Sequence, residues 1–144
     1  WKMRHGAYPA CLSLRPGATA VVTDICVPMS ELAAAVTAAR DDIAAEGLLG
    51  PILGHVGDGN FHATLLIDPD RPEELAAAKR VAGRMASRAI AVGGTISGEH
   101  GVGLAKRASM AAQQGEACRA MAAVKRALDP RNILNPGKML PDEV

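Results

Sequence analysis

Apolar and polar positions along the chain change period several times, and each change marks an element. Residues 19–27 are crowded with β-branched side chains (Val21, Val22, Thr23, Ile25, Val27) and stop at Pro28, which predicts a strand. Over 31–46 the apolar positions Leu32, Val36, Ala39 and Ile43 fall at helical spacing. Ser30 stands in the N-cap place and Gly47 just past the end, so an amphipathic helix is expected. Strands at 52–57 and 60–67 flank Asp58-Gly59, and a polar loop follows. A second helix is expected over 73–92, with Leu75, Ala78, Ala82, Met85, Ala89 and Val92 on one face and Gly93-Gly94 ending it; a short strand at 95–97 comes next. The order is β-α-β-β-α-β. The expected fold class is therefore α+β: a ferredoxin-like antiparallel sheet with both helices on one face. C-terminal helices at 104–113 and 115–128 and an ordered tail complete the chain. Residues 1–14 are expected only as a weakly patterned lead-in to the Arg15-Pro16-Gly17 turn.

The stretch Gly54-His55-Val56-Gly57-Asp58-Gly59-Asn60-Phe61-His62 carries the first candidate chemistry. Asp58-Gly59 suits a two-residue type I′ turn, which pairs Val56 with Phe61 and His55 with His62. The two imidazoles then share a sheet face with Cβ atoms ~5 Å apart, a spacing at which two nitrogens converge on one metal ion. Alternation puts Val56, Phe61, Ala63, Leu65 and Ile67 on the core side and His55, Asn60, His62 and Thr64 on the outward side. A hydrogen-bonded histidine pair is the plainer alternative. A second glycine-rich stretch, 93–103, places Glu99 beside His100. Two histidines and a glutamate are the ligand set of an open catalytic zinc-type site, which leaves His100 to move protons. The alternatives are that Glu99 is a solvated loop carboxylate and that His100 is a fourth ligand or a structural histidine.

Bulk properties narrow the field. A net charge of +1 with 2% aromatic residues offers neither a basic stripe nor stacking platforms, so nucleic acid is excluded. No apolar run approaches the ~18 residues of a membrane span. Cys11, Cys26 and Cys118 are odd in number and lack a Cys-x-x-Cys pattern, which argues for reduced, packed thiols and a cytoplasmic location, or one peripheral to a membrane through an electron-acceptor partner. Trp1 heads the chain without an initiator Met, so the sequence reads as a fragment or a processed product.

Three motifs, Gly-His-Val-Gly-Asp-Gly-Asn-Phe-His from Gly54, Gly-Glu-His-Gly-Val-Gly from Gly98 and Leu-Asp-Pro-Arg-Asn-Ile-Leu-Asn-Pro-Gly-Lys from Leu128, carry a resemblance. With them the chain resembles the C-terminal cap domain of FAD-linked 2-hydroxy-acid dehydrogenases of the vanillyl-alcohol-oxidase type, of the D-lactate dehydrogenase (cytochrome) and glycolate oxidase group. The resemblance implies that residues 1–144 are the substrate domain, that the FAD-binding domain lies N-terminal and outside this sequence, and that the tail 129–144 packs on it. It implies a divalent metal, zinc or manganese, on His55, His62 and Glu99, with His100 as the catalytic base. It also implies Arg4 as the grip on the substrate carboxylate, Asn60 on the substrate side, and Asn135 and Lys138 on the side of the FAD cofactor. Relatives acting on 2-hydroxyglutarate carry Lys and Asn where this chain has Val22 and Thr64, so a small monocarboxylate such as D-lactate or glycolate is the expected substrate. A stand-alone metallohydrolase and a non-catalytic ferredoxin-like ligand-binding module are the rival readings, and fold alone does not separate them.

Overall fold

The computed structural model describes residues 6–141. Its centre is β4 (Asn60–Ile67), every residue of which is buried. On one side β4 pairs antiparallel with β1 (Thr19–Val22) and β2 (Ile25–Cys26) in a single register, Thr19 opposite Ile67 at one end and Cys26 opposite Asn60 at the other. The strand expected over 19–27 is thus present but interrupted at Thr23-Asp24. On the other side β3 (Ile52–Leu53) pairs Leu53 with His62, and a bridge joins Leu49 to Leu66. The strand expected over 95–97 is reduced to one bridge, Thr95 with Cys26. Across the sheet the order is therefore the Thr95 bridge, then β1 and β2 as one broken strand, then β4, then β3, which is the ferredoxin-like arrangement of fourth, first, third and second segments in chain order.

Helices α2 (Leu32–Ala45) and α3 (Pro72–Ala91) cover one face. Phe61, Ala63, Leu65 and Ile67 of β4 meet Ala39 and Ile43 of α2 and Ala78, Val81, Met85 and Ala89 of α3 in one apolar cluster. The odd positions of β4 thus face the core, as alternation requires. Alanines at the helix contacts let α2 and α3 approach, and on their solvent side Asp42 and Glu46 of α2 pair with Arg80, Arg84 and Arg88 of α3. Pro72 opens α3 with Glu73 and Glu74 in its first turn, favourable to the positive end of the helix dipole. No described helix is long and apolar enough to cross a membrane.

Several local expectations are corrected. The hairpin is not closed by a two-residue turn. Val56–Asp58 forms a 3₁₀ turn, the His55 carbonyl accepts from Asp58 N (2.9 Å) and Asn60 N (3.4 Å), and Leu53 rather than His55 stands opposite His62. The cause is packing: Gly59, with φ of 75°, lies so close to the Val27 carbonyl that a Cβ there would collide with it, and the turn opens to make that approach. Val56 is consequently 58% exposed instead of core. Ser30 does not cap α2; it sits inside a 3₁₀ turn, Met29–Glu31, that precedes the helix. The lead-in contains a helix that the periodicity did not indicate, α1 (Ala7–Ser13), which packs on β4 from the face opposite α2 and α3. That face is therefore covered, and His62 is 1% exposed rather than outward-facing.

Beyond the sheet, the helix expected over 104–113 is confined to a 3₁₀ turn, Arg107–Ser109, and α4 (Met110–Gln114). With α5 (Ala117–Leu128) it builds a second small core of Ile96, Met110 and Cys118 against α3. The tail is ordered by Asp129, whose carboxylate accepts from Ile133 N (3.0 Å) and Leu134 N (2.8 Å) and pairs with Lys125. Its apolar side chains stay exposed, Leu134 at 64% and Leu128 of α5 at 79%.

The α1–β1 connection is pinned to α3 through Arg15, which donates to both Glu74 oxygens at 2.6 and 3.1 Å, while Asp68 N donates at 2.9 Å. Those bonds, the Arg15 bond foremost, pull Glu74 from its ordinary 4.5 to about 2. A carboxylate depressed on folding stabilises above its unfolded value, and that contribution disappears as pH falls from 4.5 to about 2. In an acid titration of stability, Glu74→Gln is expected to remove the part of the loss that falls in this window. Phe61→Ala should cost ~3–5 kcal/mol in urea denaturation, the scale of a vacated aromatic core site. Val56→Ala should stay within ~0.5 kcal/mol, as for an exposed position; a cost at Val56 equal to that at Phe61 would restore the tight hairpin register.

Candidate functional site

The interruption of the first strand builds the site. At Thr23 the hydroxyl, not the carbonyl, accepts the Ala63 N–H (2.8 Å), and the freed carbonyl turns to His62 Nδ1 (3.1 Å). The next residue, Asp24, then projects a carboxylate that is fully buried. Its Oδ1 accepts from Asn60 Nδ2 at 2.8 Å. Its Oδ2 accepts from His100 N (2.8 Å), Ser97 Oγ (3.0 Å), Glu99 N (3.1 Å) and Lys106 Nζ (3.2 Å). Burial pushes this acid up, but the His100 N–H, the Asn60 amide, the Glu99 N–H and Lys106 together outweigh burial and hold it well below the usual carboxylate range. Asp24 thus fixes the backbone that carries Glu99 and His100 against the strand that carries His62.

Glu99 stands among three imidazoles. Its Oε1 is 3.0 Å from His62 Nε2 and 3.6 Å from His100 Nε2, and its Oε2 is 3.7 Å from His55 Nε2. His100 stacks on His62 with ring centroids 4.8 Å apart, whereas His55 meets His62 edge-on at 6.4 Å. Protonation of His62 follows from its partners. The Thr23 carbonyl can only accept, so Nδ1 carries the hydrogen, and in the neutral ring Nε2 presents a lone pair to Glu99. Burial drives the His62 pKa down, outweighing the Thr23 carbonyl and the nearby carboxylates, which favours that neutral form. A nitrogen-to-oxygen approach of 3.0 Å is held by a hydrogen on Nε2 or by a cation shared between the two atoms.

The spacing suits a metal. Ligand atoms ~2.1 Å from a tetrahedral ion stand about 3.4 Å apart, and the Nε2 to oxygen separations of Glu99 with His62 and His55, 3.0 and 3.7 Å, bracket that value. The Thr23 carbonyl on Nδ1 orients the His62 ring, the kind of outer hydrogen bond that metal-ligating histidines have. Among the described residues, the side chains whose ligand atoms all lie within 4.8 Å of one another are Asp24, His62 and His100. Asp24, however, already accepts from five donors, Ser97, Glu99, His100 and Lys106 on Oδ2 and Asn60 on Oδ1, which makes it the anchor of the loop.

Of the residues singled out by sequence, His55, His62, Glu99 and His100 come together here, although His55 arrives through the 3₁₀ turn instead of the ladder. Asn60 lies beneath them: its amide nitrogen donates to Asp24 and to the Ile25 carbonyl (2.9 Å), and its Oδ1 is buried with no hydrogen-bond partner among the described residues. Gly98 packs so tightly on that amide that a Cβ would collide with it, so this glycine serves the loop's own seating. Asn135 and Lys138 do not reach this cluster in any described contact. They line a separate cavity of about 290 Å³ with Arg107, Lys125 and Arg126. Arg4 lies outside the described residues. Thr23, Asp24 and Lys106 were not indicated as site residues. The available signal was an acidic residue inside a run of β-branched ones, where a strand has no use for a charge.

Residues 1–139 match the family described as FAD linked oxidases, C-terminal domain. The chain is 45% identical over 141 residues to a zebrafish (Danio rerio) protein named "Probable D-lactate dehydrogenase, mitochondrial", covering 97% of this chain and 28% of that protein. It is 40% identical over 145 residues to the D-lactate dehydrogenase [cytochrome], mitochondrial, of Arabidopsis thaliana, covering 100% of this chain and 26% of the relative. It is 41% identical over 137 residues to the glycolate oxidase subunit GlcD of Bacillus subtilis, with 94% and 29% covered. The chain therefore spans between a quarter and a third of the length of these relatives.

Replacing Asp24 by Asn turns an acceptor into a donor toward at least one of its partners and leaves Lys106 without its counter-charge. Asp24→Asn is expected to cost about 3 kcal/mol or more, on the scale of a broken buried charge network. Amide hydrogen exchange at Glu99 and His100 should rise with it. Unchanged protection of those two amides would show that the loop is held by something else.

Proposed function

Because the chain belongs to the C-terminal domain family of FAD linked oxidases, we propose that it is the substrate- and metal-binding part of an FAD-dependent D-2-hydroxy-acid dehydrogenase acting on acids such as D-lactate or glycolate. The observation that carries this is the 3.0 Å approach of Glu99 Oε1 to His62 Nε2, with His62 Nδ1 already committed to Thr23. His55, His62 and Glu99 would hold a divalent ion, and their nitrogen and oxygen donors suit zinc or manganese. When bound, such an ion would supply polarisation of the substrate hydroxyl, and FAD, held mainly by a domain outside this chain, would supply the two-electron acceptor for the C2 hydride.

His100 is the residue of this chain that takes the hydroxyl proton, so that a 2-hydroxy acid leaves as a 2-oxo acid with one proton on the imidazole and one hydride on the flavin. Its stacking on His62 sets the ring beside the centre, and 46% side-chain exposure gives the proton a way out to solvent. The Asp24 bond to its backbone N–H fixes where that ring can stand. Arg4 is proposed to hold the carboxylate bidentately, and Asn60 to set the floor of the substrate side. Asn135 and Lys138 would meet the flavin cofactor; the cationic lining of their cavity suits an anionic edge.

In the full-length protein, His100→Ala is expected to lower turnover by ~10²-fold or more while metal content, measured by elemental analysis, is retained. His55→Ala should lose metal and activity together. If His100→Ala strips the ion and the activity per remaining ion is undiminished, His100 is a ligand and the base lies elsewhere.

A further inference from the structure

The loop that carries Glu99 and His100 is held from two sides. Asp24 grips it from the sheet, at the Glu99 and His100 N–H groups. A second grip comes from the C-terminal helices. At the head of the loop the Thr95 N–H (2.7 Å) and carbonyl (3.1 Å) both pair with Cys26, so the next N–H, that of Ile96, points away from β2, to the side where a further strand would take it. Gln113 of α4 stands there instead. Its Oε1 accepts the Ile96 N–H at 2.8 Å, and its Nε2 donates to Thr95 Oγ1 at 3.0 Å. A backbone N–H can only donate, which settles which end of the amide faces which partner. The Thr95 hydroxyl in turn accepts the Ser97 N–H (3.3 Å) and donates to the Ser97 carbonyl (3.2 Å), and Ser97 Oγ reaches Asp24 Oδ2 at 3.0 Å.

A chain of hydrogen bonds thus crosses the loop from Gln113 through Thr95 and Ser97 to the buried carboxylate. The Ile96 side chain lies in the second core with Met110 and Cys118, so α4 and α5 set both the backbone and the side chain of this residue. The exit of the loop is tied to the same part of the chain, since Met139 N donates to the Gly103 carbonyl at 2.9 Å. Glu99 and His100 follow Ile96 within one short stretch of chain. Groups that do chemistry must be held within ~0.5 Å of their working positions, and a displacement of ~1 Å can cost ~10²-fold in rate. We propose that Gln113, which makes no described contact with the histidines, is a positioning residue for the oxidation: it seats residues 95–97 and through them sets where Glu99 and His100 stand. This rests on the proposed 2-hydroxy-acid oxidation and adds to it a residue of the C-terminal helices. An amide suits the place because it carries an acceptor and a donor on one planar group. Glutamate keeps the acceptor and loses the donor, and methionine keeps the shape and loses both.

The test uses the full-length, flavin-loaded protein, with turnover of D-lactate and glycolate read by reduction of an artificial dye and amide hydrogen exchange read over residues 96–100. Gln113→Met is expected to lower kcat by ~10-fold or more while KM moves by less than ~3-fold, and to raise exchange at Ile96, Glu99 and His100. Gln113→Glu, which still accepts from Ile96, should restore protection at Ile96 and part of kcat. Thr95→Val removes the hydroxyl but keeps a β-branched residue in the bridge to Cys26, and it should reproduce the loss. Combined with Gln113→Met it should cost no more than Gln113→Met alone, as for two members of one chain of bonds. Should Gln113→Met not fold, Gln113→Glu and Thr95→Val carry the comparison. A kcat within ~2-fold of wild type in Gln113→Met and Thr95→Val, or losses that multiply in the double variant, overturns this inference and leaves the proposed function standing. A wild-type protein that oxidises neither acid overturns the proposed function; exchange then decides the positioning role, and unchanged protection at Glu99 and His100 in both single variants overturns that too.

Discussion

A carboxylate with no solvent contact is tolerated only if its charge is met from within the protein, and Asp24 meets that condition with five donors drawn from three separate segments. Asn60 comes from β4, and Ser97, Glu99 and His100 from the glycine-rich loop. Lys106, from the start of the C-terminal part, also donates to the Asp24 carbonyl at 3.0 Å. None of these segments is adjacent in sequence to Asp24. The cost of burying the charge therefore works as a fastener: any movement that separates loop from sheet leaves an ion unpaired. The half-exposed residues Glu99 and His100 obtain a fixed address without being buried themselves.

The strand break at Thr23-Asp24 and the buried His62 are two sides of one exchange. A regular ladder would use the Thr23 carbonyl between strands. Here the threonine hydroxyl substitutes, so the sheet keeps its register on both sides of the break while one carbonyl is released to orient an imidazole. Only a short β-branched residue with a hydroxyl can supply both the strand conformation and the replacement acceptor. Stability is drawn from the other face, where β4 meets α2 and α3.

The long elements were legible because their signals are long. Helices α2 and α3 and the alternation of β4 lie close to where periodicity put them, and the two-helix, four-strand order follows. Elements fixed by a few contacts were not. The Asp58-Gly59 dipeptide speaks for a tight turn, but a close backbone contact between Gly59 and Val27, distant in sequence, opens it. Helix α1 is seven residues long, too short to show a clear period, and it packs on β4. In the candidate site the four residues of strong chemical character, His55, His62, Glu99 and His100, were readable from motif and spacing. Asp24 was not, since its partners are two backbone N–H groups and the side chains of Asn60, Ser97 and Lys106, all far along the chain, and none of them leaves a local mark in sequence.

Strand β4 assigns its alternate residues to different duties: Phe61, Ala63, Leu65 and Ile67 close the core, while Asn60, His62 and Thr64 build the floor of the site. With a period of two, one residue gained or lost inside this strand would exchange the faces for every position beyond it. Point replacements that keep size and polarity remain open to drift in either set. Changes of length do not, so among descendants of this sequence the segment 60–67 should vary in letters and never in count.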